Sequence, residues 1–195
     1  MKLVKNEKII LNKQKILEAA EQILLSNCRD VIIDDLAKEV DMAKGTIYKY
    51  FKNKNQIYLE LLIQNEKKLL EISINYGDDI KVFLSNFMLY HLNNSNRTIK
   101  FHEIEEQVTS QERKFKSLFD ELYAIREKRI IEMKDITSKH LQMVGSFFSV
   151  SEFFSYVWGI TYGLALFLSS NFYKQSVQER ERLINFHIAR IVDIQ

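Results

Sequence analysis

A chain of 195 residues with 46% hydrophobic and 28% charged residues has the balance of a folded protein, far from the low-hydrophobicity, high-charge range of disorder. The absence of proline and the presence of only 5 glycines exclude sheets joined by many tight turns, which consume both residues, and predict an all-α fold. A net charge of +2 excludes bulk basicity, so any nucleic-acid contact must come from a local patch. The one cysteine, Cys28, excludes an intrachain disulfide framework and a cysteine-rich zinc site and points to a reducing cytoplasm. The longest apolar run near the start, Ile9–Leu11, is too short for the core of a secretory signal.

From Lys13 to Ser26 the residues Ile16, Leu17, Ala20, Ile23 and Leu24 recur at helical spacing, which predicts an amphipathic helix stopping at Asn27. Cys28 then reads as a small packing residue. The stretch Ile32–Phe51 holds two short helical patterns. Leu36, Ala37 and Val40 share one face, and Ile47 and Phe51 share another, with Met42 on the turn and Asp41 where a left-handed conformation is needed. Two such helices around a tight turn make a helix-turn-helix, whose second helix enters the DNA major groove. Charge agrees with this placement. No acidic residue occurs from Met42 to Leu59, while Lys44, Lys49, Lys52 and Lys54 supply four positive charges. With Ile47 and Phe51 turned inward, Lys44, Gly45, Thr46, Tyr48 and Lys49 project outward, a mixture suited to phosphates and base edges.

These residues resemble the N-terminal domain of the TetR family of bacterial transcription regulators. The resemblance runs from about Lys15 to Leu62, through KILEAAEQILL, DDLAKEV and KGTIYKYFKNKNQIYLELL, and includes Tyr48, Phe51 and Lys54. It implies that Lys44, Gly45 and Thr46 approach the bases and that Tyr48 and Lys54 hold phosphates. Three departures from the family pattern occur. Val31 and Ile32 replace the usual Ser or Thr, Asp41 replaces the turn glycine, and Ala43 replaces a hydroxyl residue opening the recognition helix. Two capping hydroxyls are thereby lost, while Asp34 and Asp35 still favour the positive end of their helix and Ala43 is suited to a thymine methyl.

Asn53 with Gln56 reads as a variant capping box opening a long helix, striped by Tyr58, Leu61, Leu62, Leu69, Ile72 and Tyr76 and ended by Gly77. Asp78 is expected to cap a helix to about Leu92, Asn93–Asn96 to break, and another helix to run from Thr98 to Val108. Boxes of the S/T-x-x-E kind at Thr109/Glu112, Ser149/Glu152 and Ser176/Glu179 predict further helix starts, giving about nine helices. Aromatic residues concentrate between Asp78 and Tyr173. Set on several helices with His91, His102 and Glu106 among them, they have the make-up of an apolar pocket with polar anchors; Phe87, Tyr90, His102, Phe119, Tyr123 and Trp158 are its candidates. The run Phe153–Tyr173 has no charged residue and carries Gly159 and Gly163 in a GxxxG spacing. Its serines and asparagine argue against a membrane span. The adjoining helix Val177–Ile194, with Leu183, Ile184, His187, Ile188 and Ile191, offers it a mate, and two such helices from each of two chains build a four-helix dimer interface.

Enzyme readings fail on motif. There is no phosphate-binding glycine loop, no H-E-x-x-H and no zinc cysteine pair, and His91, His102, His140 and His187 are scattered. The expected organisation is therefore a DNA-binding domain at 1–54, with contacts from Ala43, Lys44, Gly45, Thr46, Tyr48, Lys49 and Lys54, followed at 55–195 by a helical effector-binding and dimerisation domain. No metal or other cofactor is expected. The expected function is that of a cytoplasmic repressor binding a palindromic operator as a homodimer and released by an apolar or aromatic small molecule. The alternatives are the same fold controlled by a protein partner and a membrane-tethered regulator.

Overall fold

The computed structural model describes residues 2–26, 30–176 and 179–192. The expected stop at Asn27, the packing of Cys28 and the side chain of Ser176 lie outside the described residues. Among the described residues ten α-helices follow one another: α1 (Lys2–Ser26), α2 (Ile33–Glu39), α3 (Lys44–Tyr50), α4 (Lys54–Tyr76), α5 (Ile80–Asn93), α6 (Ser95–Thr109), α7 (Lys116–Met143), α8 (Val150–Ser169), α9 (Asn171–Ser176) and α10 (Arg180–Val192). A short 3-10 turn at Glu112–Lys114 lies between α6 and α7, and no strand occurs among the described residues.

Several helix ends differ from the sequence expectation, each for a local reason. α1 begins at Lys2 rather than Lys13; no glycine or proline interrupts the earlier residues, and the helix continues although Ile9, Ile10 and Leu11 are exposed. The cap of α5 is Asp79, not Asp78, its Oδ1 accepting from the amides of Lys81 at 2.8 Å and Val82 at 3.3 Å. The break before α6 shrinks to Asn94, whose side chain accepts from the Arg97 amide at 3.3 Å. Thr109 does not open a helix: its hydroxyl donates to the Glu105 carbonyl at 2.9 Å and closes α6 instead. The Ser149/Glu152 box forms as expected. The Glu152 amide donates to Ser149 Oγ at 3.2 Å, and the Ser149 amide donates to Glu152 Oε2 at 2.7 Å.

The uncharged run Phe153–Tyr173 is split at Ser170. Its hydroxyl donates to the Phe167 carbonyl at 2.8 Å and accepts from the Tyr173 amide at 3.1 Å, ending α8 and starting α9 with one side chain. No helix among the described residues is long and apolar enough to cross a membrane.

The chain divides into two compact units. The first comprises Met1–Gln64 with Glu103–Leu122, and the second Asn65–His102 with Tyr123–Gln195. The first thus extends past Lys54, because Ile57, Tyr58, Leu61 and Leu62 at the start of α4 are buried there, and it takes in the buried Ile104, Val108 and Phe119. Within it α1 packs on α2 and α2 on α3, with Ile16, Leu17, Ala20, Leu36, Ala37, Val40, Ile47 and Phe51 buried. Burial at these faces, at roughly 25 cal/mol per Å² of apolar surface, holds helices of 7 residues that would not persist alone. Asn12 donates to the Tyr50 hydroxyl at 2.8 Å, and Lys15 donates to the Val40 carbonyl at 2.9 Å. In the second unit α5 lies against α8 and α10, around a core that includes Phe83, Leu84, Met88, Phe153, Leu164, Ile184 and Ile188. Arg180 fastens the end of α5 by donating to the Leu92 carbonyl and, at 2.9 Å, to Ser95 Oγ.

The α2–α3 turn depends on Asp41, which has φ 53°. Replacing it by glycine relieves a left-handed conformation but loosens the unfolded chain, so Asp41→Gly is expected to shift stability by less than about 1 kcal/mol. Asp41→Val is expected to cost about 1–2 kcal/mol in urea unfolding.

Candidate nucleic-acid interface and effector site

α3 is short and opens without side-chain help. Its cap, Ala43, is extended and makes no capping hydrogen bond, and Ile32 before α2 behaves alike. Thr46 and Ile47 therefore begin the helix only through their amides on the Ala43 carbonyl. Ile47 is buried beneath this helix. Lys44, Gly45, Tyr48 and Lys49 are exposed, as is Ala43, and Thr46 is half-buried. A Cβ added at Gly45 would meet nothing within 4 Å, so the middle of this face stands open.

Two of the face's lysines already hold partners. Lys44 pairs with Asp34 of α2, and Lys54 pairs with Asp30 at 2.5 Å. Asp30 is itself fixed by the fully buried Tyr58, whose hydroxyl accepts from the Val31 amide at 2.9 Å and donates to Asp30 Oδ1 at 3.4 Å. The hydrogen bond from Lys54 holds the Asp30 carboxyl below its usual pKa despite partial burial. Burial, with the neighbouring carboxylate adding to it, pushes the Tyr58 phenol up to about 12, so it stays a donor at all physiological pH.

In the second unit the aromatic candidates meet around His91, which the sequence placed among the polar anchors but not among the six lining candidates. His91 of α5 lies with its ring centroid 4.8 Å from Phe87, 5.3 Å from Tyr90 and 5.2 Å from Trp158 of α8. Trp158 stacks at 5.7 Å on Tyr162, which meets His102 edge-on at 4.8 Å. The helical spacing of Phe87 and His91 was the available signal, since residues four apart share a face. His91 is 5% exposed. The Thr98 hydroxyl donates to the His91 carbonyl at 2.8 Å and lies 3.2 Å from Nδ1. A hydroxyl has one hydrogen and a carbonyl can only accept, so both contacts form together only when Nδ1 carries the ring proton. Nε2 is then a bare acceptor, and it has no hydrogen-bond partner. Leaving such a group unmet costs about 1–3 kcal/mol.

A charged group borders the cluster. Arg126 Nε donates to Glu66 Oε1 at 2.9 Å, Arg129 Nε lies 3.4 Å from Glu66 Oε2, and the Arg129 guanidinium stands 5.9 Å from the Phe87 ring centre. Arg97 donates to Asn65 at 2.6 Å and to the Tyr90 hydroxyl at 3.0 Å. Burial lowers the Arg129 pKa; the Glu66 carboxylate opposes this and Arg126 reinforces it.

The structure thus brings Phe87, Tyr90, Trp158 and His102 into one cluster. Phe119 is buried and belongs to the first unit, and Tyr123 is exposed. Gly159 and Gly163 lie on the exposed side of α8 with nothing within 4 Å of an added Cβ, whereas Ile184 is in the core of the second unit. No group of His, Cys, Asp and Glu that could hold a metal occurs among the described residues.

Residues 16–61, spanning the buried helix-turn-helix and its open face, match the family model of bacterial regulatory proteins of the tetR family. That segment is similar to the tetR family of bacterial regulatory proteins. No curated protein matches it. Its fold is similar to that of the transcriptional regulator FadR from Bacillus subtilis, solved in complex with stearoyl-CoA, with a TM-score of 0.62 and 19% identity over 93% of this chain and 99% of that one. The fatty acid degradation regulator FadR from Bacillus halodurans gives 0.62 and 16% over 92% and 94%, and Salmonella enterica GusR gives 0.57 and 13% over 93% and 95%. At these identities the likeness is one of fold.

His91 is expected to make the protein sensitive to acid. Burial, then the nearby Arg129 and Arg97, lower its pKa to about 3, against about 6.5 unfolded. The unfolded chain therefore binds the extra proton between these values. The stability that goes with a neutral His91 is complete above about pH 6.5 and falls as pH drops toward 3, by at most about 1.4 kcal/mol per unit. His91→Phe is expected to flatten the decline of urea-unfolding stability across that window, and an unchanged slope would contradict the assignment.

Proposed function

We propose that the chain is a ligand-responsive repressor that binds a near-palindromic operator as a homodimer. The observation that carries the DNA-binding face is the open side of α3, where Lys44, Gly45, Tyr48 and Lys49 are exposed beside Thr46 above a buried Ile47. Ala43, Lys44, Gly45 and Thr46 meet base edges, and Tyr48, Lys49 and Lys54 meet phosphates. Two copies present two such helices, so the half-sites lie about one helical turn, ~34–36 Å, or somewhat more apart. Dimerisation uses the exposed side of α8, where Tyr156, Gly159, Gly163, Leu166 and Phe167 leave an apolar strip, together with Phe186 of α10. Ile184 supports that surface from within.

The effector site is the cluster of Phe87, Tyr90, His91, Trp158 and His102. Its aromatic make-up suits an apolar or aromatic molecule, and the stearoyl-CoA named for one structural neighbour supports a ligand with large apolar surface. Coupling runs through α4, the helix that carries Lys54 in its first turn and Asn65 and Glu66, the partners of Arg97, Tyr90 and Arg126, further along. An effector that favours a different setting of this helix weakens operator binding by its differential affinity, typically about 1–3 kcal/mol, and operator weakens the effector equally.

Because Asp30 occupies Lys54 in the free protein, phosphate binding exchanges one ion pair for another. On a labelled duplex of arbitrary sequence, Asp30→Asn is expected to tighten binding at low salt and steepen the fall of log affinity with log salt by about 1, and a further Lys54→Ala change to abolish that gain. An Asp30→Asn slope equal to wild type would remove Lys54 from the interface. For assembly, Gly163→Asp adds a side chain that the protomer has room for, so the fold is expected to survive. Sedimentation at micromolar concentration should then report monomer, and operator affinity should fall although α3 is untouched. A variant that stays dimeric would exclude the α8 face.

A further inference from the structure

The unmet acceptor of His91 sets a chemical requirement on whatever occupies its aromatic cluster. Three rings surround the imidazole on α5 and α8, and its Nδ1–H is committed to Thr98. Trp158, 38% exposed, brings one wall of the cluster to the surface. An apolar molecule entering beside Trp158 would leave the buried Nε2 unpaired, whereas one with a hydroxyl or N–H would supply the missing hydrogen bond. Discrimination of this kind is stronger than what apolar contact alone provides, because the analogue lacking the donor leaves a buried polar group unpaired. We infer that the effector of this regulator carries a hydrogen-bond donor, a hydroxyl or N–H group, on an apolar or aromatic body, and that His91 Nε2 receives it. The inference rests on the reading of this cluster as the effector site.

The chain contains one tryptophan, so the emission of Trp158 reports binding at the cluster without added label. The test titrates full-length protein with 4-butylphenol and with its methyl ether, 4-butylanisole, which keeps the ring and alkyl chain and lacks the donor, exciting above the phenol absorption band. The phenol is expected to bind at least about tenfold tighter than the ether. His91→Phe keeps an aromatic ring in the cage and is expected to erase the preference while retaining ether binding. Thr98→Val releases the proton from Nδ1 and is expected to reduce the preference without removing the imidazole. Equal binding of phenol and ether by wild type, or a preference that survives His91→Phe, overturns the donor requirement and leaves the effector reading standing. If neither compound alters Trp158 emission up to its solubility limit, both the donor requirement and this location of the effector site fall, while the DNA-binding reading is judged separately by the salt slopes.

Discussion

A chain without proline and with few glycines must end its helices by other means. Each helix leaves four amides and four carbonyls unpaired at its ends, and here polar side chains take up much of that work. Asp79 and Asn94 accept from amides, Thr109 and Ser170 donate to the last carbonyls, Lys15 and Arg180 reach carbonyls across a helix boundary, and Ser149 trades bonds with Glu152. Where no such side chain stands, at Ile32 and Ala43, the helices are the short pair that carries the proposed DNA-facing surface. Their placement then depends on the buried Leu36, Val40, Ile47 and Phe51 and on the left-handed Asp41. The recognition helix is thus set by packing and one turn residue rather than by caps.

That division explains what the sequence could and could not tell. The helix-turn-helix was legible because its signals are short-range and linked: two buried faces, a residue tolerant of positive φ between them, and an acid-free stretch of lysines. Helix starts were less legible because capping boxes depend on which of several neighbouring polar residues reaches an amide first. Asp78 and Asp79 are chemically identical candidates, and only the backbone conformation separates them. Thr109 matched the pattern but found a carbonyl one turn earlier. The ends of α8 and α9 turned on Ser170, a residue that periodicity treats as a neutral member of an apolar run.

The aromatic cluster was half legible. Phe87, Tyr90, Trp158 and His102 could be picked as aromatic or polar members of the right helices, but Phe119, buried in the first unit, and the exposed Tyr123 looked equivalent to them in sequence. His91 was visible as a polar residue one turn from Phe87; its importance arises from Thr98, which lies on the following helix and decides which nitrogen carries the proton. A buried histidine so arranged is neutral, and its environment keeps it so: the adjacent arginines oppose any proton that would make it a cation. Glu66 in turn gives the buried Arg129 an anion, which it shares with Arg126.

The pairing of Lys44 with Asp34 and of Lys54 with Asp30 has a consequence for how such a protein finds its site. Attraction to arbitrary DNA is almost wholly ionic and sets how long a protein lingers at each wrong location. A surface that neutralises its own lysines between encounters grips random sequence less firmly and leaves it sooner, so less of the population is held in reserve along the chromosome. Only where bases as well as phosphates reward the docked α3 does exchanging two internal carboxylates for the backbone become favourable. Two aspartates on the flank of the recognition surface would in that way shorten the search.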